Sequence, residues 1–215
     1  MTRTLRSCLL ALAALWLLAL PTLAAKGPKK SKKDEVVTLS TSLGDIRLIL
    51  FEDTPLHRAN FLKRAKAHSY DGTTFHRVIP GFMVQGGDPN SKDGDPTNDG
   101  QGPPGEPTIP AELAAGHKHD YGAVAAARQG DQVNPQRASS ASQFYLVENP
   151  KGAHFLDGNY TVFGQVIQGQ ETINKIAALP RDARDRPLTD FKMTVKVERL
   201  KKKKITELYG YSYQQ

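Results

Sequence analysis

The stretch FHRVIPGFMVQGGD, Phe75 to Asp88, sets one arginine and one glutamine around an apolar run that Pro80 and Gly81 interrupt. Pro-Gly marks a turn, so the stretch reads as two short strands joined at Pro80-Gly81. It contains no cysteine, no carboxylate pair and no serine beside a base. Any chemistry here must do without a nucleophile and without an acid–base couple. His76 stands next to Arg77, but strand alternation turns it to the opposite face.

Outward from this stretch, the chain alternates short strands with two helical patterns. VVTLST from Val36 and DIRLILF after Gly44 read as a hairpin. Thr54-Pro55 then opens a helix whose Leu56, Ala59, Phe61, Leu62 and Ala65 recur at helical spacing up to about Ala67. Residues Pro89 to Pro110 are rich in Gly, Pro, Asp and Asn and form a long loop. Its acids do not fit the spacing of a calcium-binding loop, and His117-Lys118-His119 reads as a surface turn rather than a metal clip. Strands return at Tyr121–Ala127, Gln143–Val147, Val162–Ile167 and Lys192–Leu200, with a helix over Gln170–Ala178 that Pro180 stops. Many short strands with two helices point to a closed antiparallel barrel, because closure removes exposed edges. One barrel accounts for the apolar residues, so a monomer is expected.

The ends carry the compartment and the charge. Arg3 and Arg6 precede an apolar run from Cys8 to Leu20, and Pro21–Ala25 supplies small residues suited to cleavage. This is the pattern of a secretory signal peptide, shorter than the ~20 residues of a spanning helix. Its removal would take away Cys8, the one cysteine of the chain, and with it disulfide and thiol chemistry. The formal net charge is +7. Losing Arg3 and Arg6 leaves +5, setting aside the five lysines at 26, 29, 30, 32 and 33 leaves 0, and setting aside Lys201–Lys204 leaves −4. The basicity therefore sits in two tails, 26–35 and 201–215, and not on the body at 36–200. That argues against nucleic-acid binding; the tails read as solvated and disordered, with weak electrostatic contact between the lysines and anionic envelope components as the sharper reading.

Three segments, FHRVIPGFMVQGGD, SQFYL at Ser142–Leu146 and FLDGNYTVFGQV at Phe155–Val166, occur in an order that resembles the cyclophilin family of peptidyl-prolyl isomerases. GAVAAARQGD and SSASQF look most like bacterial secreted or single-domain members. The resemblance spans roughly Val36 to Leu200. It implies an eight-stranded antiparallel barrel capped by two α-helices, no cofactor and no metal, and substrates that are proline-containing segments of folding proteins. By position, Arg77 matches the catalytic arginine. Phe82, Met83 and Gln85 match residues lining the proline pocket, Gln143 a second glutamine, and Leu156 a pocket leucine. Ala127 and Arg128 fall where an Ala-Asn pair commonly receives the peptide backbone. Tyr145 takes the place of a usual phenylalanine and Tyr160 that of a frequent histidine. Phe155 stands where members that bind cyclosporin well have tryptophan, so weak inhibition by that drug is expected.

The residue types suit the reaction. Rotation about an imide bond breaks no bond, so it needs neither acid nor nucleophile; it needs better binding of the twisted state than of either planar one. A permanently charged guanidinium beside apolar walls meets that need. The competing reading is a module that captures proline segments, with isomerisation incidental; intact Arg77 favours the enzyme. Phe144, by alternation with Tyr145, belongs to the core.

Overall fold

The computed structural model describes residues 31–113 and 116–213. The stretch read as a secretory signal and the first part of the lysine spacer lie outside them. In chain order the elements are β1 (Lys33–Thr41), β2 (Gly44–Leu50), α1 (Pro55–Lys66), β3 (Arg77–Ile79) and β4 (Met83–Gly86). Then come β5 (Thr108–Ile109), β6 (Ala123–Ala126), β7 (Ser139–Ser140), β8 (Phe144–Val147) and β9 (Val162–Gln168). The chain continues through α2 (Gln170–Ala177), β10 (Thr194–Lys201) and α3 (Lys202–Tyr209).

Eight strands form one sheet in the order β10-β1-β2-β9-β6-β8-β4-β3, and β5 pairs with β7 in a separate two-stranded ribbon. Every pairing in the large sheet is antiparallel. Its two outer strands meet through the segments that lead into them. Gly72 N–H donates to Met193 O at 2.9 Å, Met193 N–H to Thr73 O at 2.9 Å, and Phe75 N–H to Phe191 O at 3.1 Å. These bonds satisfy edge groups that would otherwise face solvent.

Period-two alternation sends one face of each strand into a single core that includes Val37, Leu39, Leu48, Val78, Val84, Val124, Phe144 and Leu146. Helix α1 contributes Phe61, Leu62 and Ala65 to it, and α2 contributes Ile173, Ile176 and Ala177. Pro55 opens α1, where its missing N–H is no loss, and Lys63, Arg64 and Lys66 sit in its last turn, favourable to the helix dipole. The expected helix and strand positions agree with these elements to within a few residues.

The two tails are more ordered than their charge indicates. The spacer expected over 26–35 already enters β1 at Lys33, and Asp34 is buried with Arg58 Nη2 at 2.7 Å. The segment 201–215, read from sequence as a solvated tail, forms α3 instead. Ile205 is fully buried against Val36 and Ile49, with Tyr209, Tyr211 and Tyr213 packed around it. Lys202 is paired with Glu52 at 2.7 Å and lies 4.7 Å from the Tyr213 ring centroid. Burial of one isoleucine and partial burial of three tyrosines outweigh the repulsion within the lysine run.

Truncating Ile205 tests this. Ile205→Ala should cost about 2–4 kcal/mol in denaturant unfolding, or release α3 alone and make the backbone at Lys202–Lys204 cleavable by trypsin. A variant unchanged in both measurements would show that α3 contributes nothing to the folded unit.

Candidate active site

The site is built on the outer face of β3, β4, β8 and β6. Register sets Arg77 opposite Gln85, Gln85 opposite Tyr145, and Tyr145 opposite Ala125. In the next outward-facing row, Ile79 pairs with Met83 and Met83 with Val147. Between these rows, Val78, Val84, Leu146 and Val124 point inward and are fully buried. The alternation that hides the valines thus presents Arg77, Gln85 and Tyr145 side by side. His76, the residue before β3, is buried as well, and burial pushes its imidazole below the ordinary value.

A second apolar cluster lies on this outer face. It joins Met83, Tyr145, Ala125, Val147 and Val162 to the half-buried Phe82, Ala127, Leu156 and Tyr160. Most of the pocket residues expected from sequence are therefore brought together. Phe155 stands at the rim, 72% exposed, its ring 5.3 Å from that of Phe82. The Pro80-Gly81 turn below the pocket is pinned by Gly81 N–H donating to Glu148 Oε2 at 2.7 Å.

Polar groups border the apolar floor. Gln85 Nε2 donates to Gln143 Oε1 at 3.0 Å, and Gln143 Nε2 donates to Gly100 O at 3.1 Å. The long loop at 89–110 is thereby tied to the site. Asp88 anchors it further by accepting from the backbone N–H groups of Asn90 and Gly102, both at 3.0 Å. A cleft of about 740 Å³ runs past Gln85, Gln143, Ala127, Arg128 and the 100–108 segment. A smaller groove of about 350 Å³ is lined by Arg77, Gln85, Gly100, Gln101, Arg184 and Arg186. Gln85, Gly100 and Gln101 border both. Gly87 turns the chain out of β4 with φ +91°, where a Cβ would stand 2.5 Å from Ser142 O and 2.9 Å from the Phe144 ring.

Arg77 is exposed, and among the described residues its guanidinium enters no hydrogen bond or ion pair. Arg128 is the opposite case. Its Nε donates to Asn159 O at 3.0 Å, its Nη1 pairs with Asp131 at 2.6 Å, and its guanidinium lies 4.3 Å from the Tyr160 ring centroid. Where a smaller asparagine is usual, this longer side chain folds over the rim tyrosine.

Sequence reading missed two functional neighbours. His119, taken for part of a surface turn, is fully buried and holds the Tyr145 hydroxyl at 2.9 Å. Asp157 holds the other side of its ring at 2.8 Å. The available signal was Tyr145 itself, since a buried tyrosine hydroxyl calls for a partner. His117 does lie nearer the surface, stacked on Phe51 at 4.0 Å and bonded to Asp53 at 2.7 Å.

Three buried histidines shape the acid stability. Burial lowers the pKa of His57, against its hydrogen bond from Nδ1 to Glu112; it also lowers His76, and His119 against Asp157. A histidine depressed in the fold contributes stability that is complete above its unfolded value, about 6.5, and is lost as the pH falls below it. Melting temperature should therefore decline from about pH 7 to about pH 5. A flat profile across that window would mean that these rings take up protons in the fold as freely as in the unfolded chain.

The comparisons with known proteins agree with this geometry. The family model described as "Cyclophilin type peptidyl-prolyl cis-trans isomerase/CLD" matches residues 36–197. "Peptidyl-prolyl cis-trans isomerase-like 2" of Cryptococcus neoformans is 36% identical over 175 residues, covering 77% of this chain and 27% of that protein. The chain thus spans about a quarter of that relative's length. "Peptidyl-prolyl cis-trans isomerase-like 3" of Dictyostelium discoideum is 38% identical over 161 residues, covering 72% of this chain and 89% of that protein. A crystal structure of a cyclophilin type peptidyl-prolyl cis-trans isomerase from Cryptosporidium parvum superposes with a TM-score of 0.66 at 28% identity, covering 77% of this chain and 98% of that one. The same protein has been solved in the presence of the dipeptide Ala-Pro. These relatives are eukaryotic and do not single out the bacterial secreted kind expected from GAVAAARQGD and SSASQF.

Proposed function

The chain belongs to the family of cyclophilin-type peptidyl-prolyl cis-trans isomerases, and from that premise we propose that it accelerates X–Pro rotation in proteins folding beyond the inner membrane. The observation that carries the reading is an uncommitted guanidinium beside an apolar pocket. Arg77 stands exposed in register with Gln85, and Phe82, Met83, Tyr145 and Leu156 gather on the same outer face.

The imide before proline resists rotation by ~18–20 kcal/mol because resonance stiffens its C–N bond. Twisting removes that resonance and localises the nitrogen lone pair. Arg77 remains charged at ordinary pH and can donate to that nitrogen and to the prolyl carbonyl. The apolar wall holds the proline ring while the preceding carbonyl turns, and it lowers the local dielectric around the contact. Gln85 and Gln143, already joined at 3.0 Å, present remaining donors and acceptors to the peptide backbone. A preference of about 7 kcal/mol for the twisted state corresponds to roughly five powers of ten in rate.

Proline-containing polypeptides are the substrates in this reading, supported by the Ala-Pro dipeptide used with the Cryptosporidium relative. The signal-like pattern of Arg3, Arg6 and Cys8–Leu20 supports export to a periplasmic compartment, and the motif GAVAAARQGD supports a bacterial, secreted kind. The lysines at 26–33 support loose attachment to anionic envelope components, while Lys202 already has partners in the fold.

Isomerisation of an Ala-Pro peptide, followed by protease coupling or exchange NMR, tests the reading. Arg77→Ala should lower kcat/KM a hundredfold or more, about 2.7 kcal/mol, with an unchanged circular dichroism spectrum. A folded wild type that binds the peptide without accelerating it would make the groove a capture site instead. Cyclosporin should inhibit the wild type weakly and Phe155→Trp more strongly; equal inhibition would remove Phe155 from the drug's contact surface.

A further inference from the structure

Tyr145 brings a buried hydroxyl into a largely apolar cluster, and a buried donor left without an acceptor costs about 1–3 kcal/mol. Its acceptor is His119 Nε2, 2.9 Å away, with the two rings inclined by 11°. His119 Nδ1 lies 2.8 Å from Asp157 Oδ1, which also accepts the His119 backbone N–H at 2.8 Å. An ionised carboxylate can only accept, so Nδ1 carries the proton and Nε2 is left to accept from tyrosine. Burial raises the pKa of the Tyr145 hydroxyl, which keeps it a donor. Hydrogen bonds from His119 and His154 outweigh burial at Asp157 and hold it ionised.

This chain of contacts joins the floor of the pocket to its rim. Asp157 follows directly on the turn His154–Leu156, which carries Phe155 and Leu156. Ala153 N–H, just before that turn, donates to His119 O at 2.7 Å. Tyr145 in turn meets Tyr160 edge-on, 6.2 Å between ring centres.

We propose that His119 is a positioning residue of the proline pocket: held by Asp157 in its Nδ1–H form, it fixes the Tyr145 hydroxyl and so sets the floor ring against the Phe155–Leu156 rim. The inference rests on the isomerase reading above. Protonation of His119 would turn Nε2 from acceptor to donor, which reverses the bond to Tyr145 and leaves the tyrosine's own proton without its acceptor, so catalysis should weaken in acid through this residue. The titratable groups facing His119 are Asp157, His154 and Asp120, and those facing Tyr145 are Tyr160, Arg128 and again Asp157. His154 is bonded to the second oxygen of Asp157 at 3.1 Å and lies 3.7 Å from Asp120, which makes it the control.

The test measures kcat/KM on an Ala-Pro peptide from about pH 8 to about pH 5, with the full chain and four variants. Tyr145→Phe and His119→Leu should each lower kcat/KM on the order of tenfold at neutral pH and flatten the acid limb. His119→Gln, whose carboxamide can donate to Asp157 and accept from Tyr145, should recover part of that loss without restoring the limb. His154→Gln should retain the limb. Long-range ¹⁵N–¹H spectra should find His119 protonated at Nδ1, a reading that stands even if His119→Leu fails to fold. A Tyr145→Phe profile that superimposes on the wild type, or an Nε2–H tautomer, overturns the proposal. A wild type with no acceleration at any pH would overturn the isomerase reading instead.

Discussion

The cross-strand row Arg77–Gln85–Tyr145–Ala125 is the constraint on which the site depends, and it is held from behind. Side chains alternate across a strand, so slipping one pairing by a single residue would send Arg77 inward and Val78 out. Val78, Val84, Leu146 and Val124 are fully buried in the opposite sense. The hydrophobic driving force on those four therefore specifies where the guanidinium stands. Core and site are two faces of one register.

What the register presents is a fixed charge next to an oily wall, with few groups that titrate. The reaction assigned to it transfers no proton, and the residues in contact with a bound proline would be an arginine, two amides and aromatic or aliphatic side chains. Titratable groups enter one layer further back, where His119, itself held by Asp157, bonds the Tyr145 hydroxyl. That arrangement separates the tasks: the groups facing substrate stay invariant with pH, and sensitivity to acid enters through a buried neighbour. Gln143 plays a related part for the long loop, because its bond to Gly100 O joins that loop to the strand bearing Tyr145.

Charge proved a poor guide to order at the C-terminal end. Four consecutive lysines read as a solvated run, yet Lys202 finds Glu52 and the Tyr213 ring, and Ile205 one turn later is buried. A buried isoleucine at the right helical phase, with the tyrosines packed around it, decides the matter where the neighbouring surface offers an apolar depression. Val36 and Ile49 supply it.

Local pattern was enough for much of this. The turn at Pro80-Gly81, the alternation that separates Phe144 from Tyr145, the Pro55 start of α1 and the run of short strands were all legible from residue spacing. The family motifs placed Arg77, Gln85, Gln143 and the apolar wall before any coordinates. His119, Asp157, the docking of Arg128 on Asn159 and Tyr160, and that of α3 were not legible, because each depends on a partner far along the chain. His119 meets Asp157 across 38 residues and Tyr145 across 26. Spacing reports the face on which a residue lies; it carries no information about which distant group will fill the space opposite. By itself, then, the sequence determined most strands of the large sheet, the two helices that pack on its core, and their inward and outward faces. Tertiary structure alone decided which polar groups would be buried together, since a buried donor must find its acceptor wherever the fold brings one.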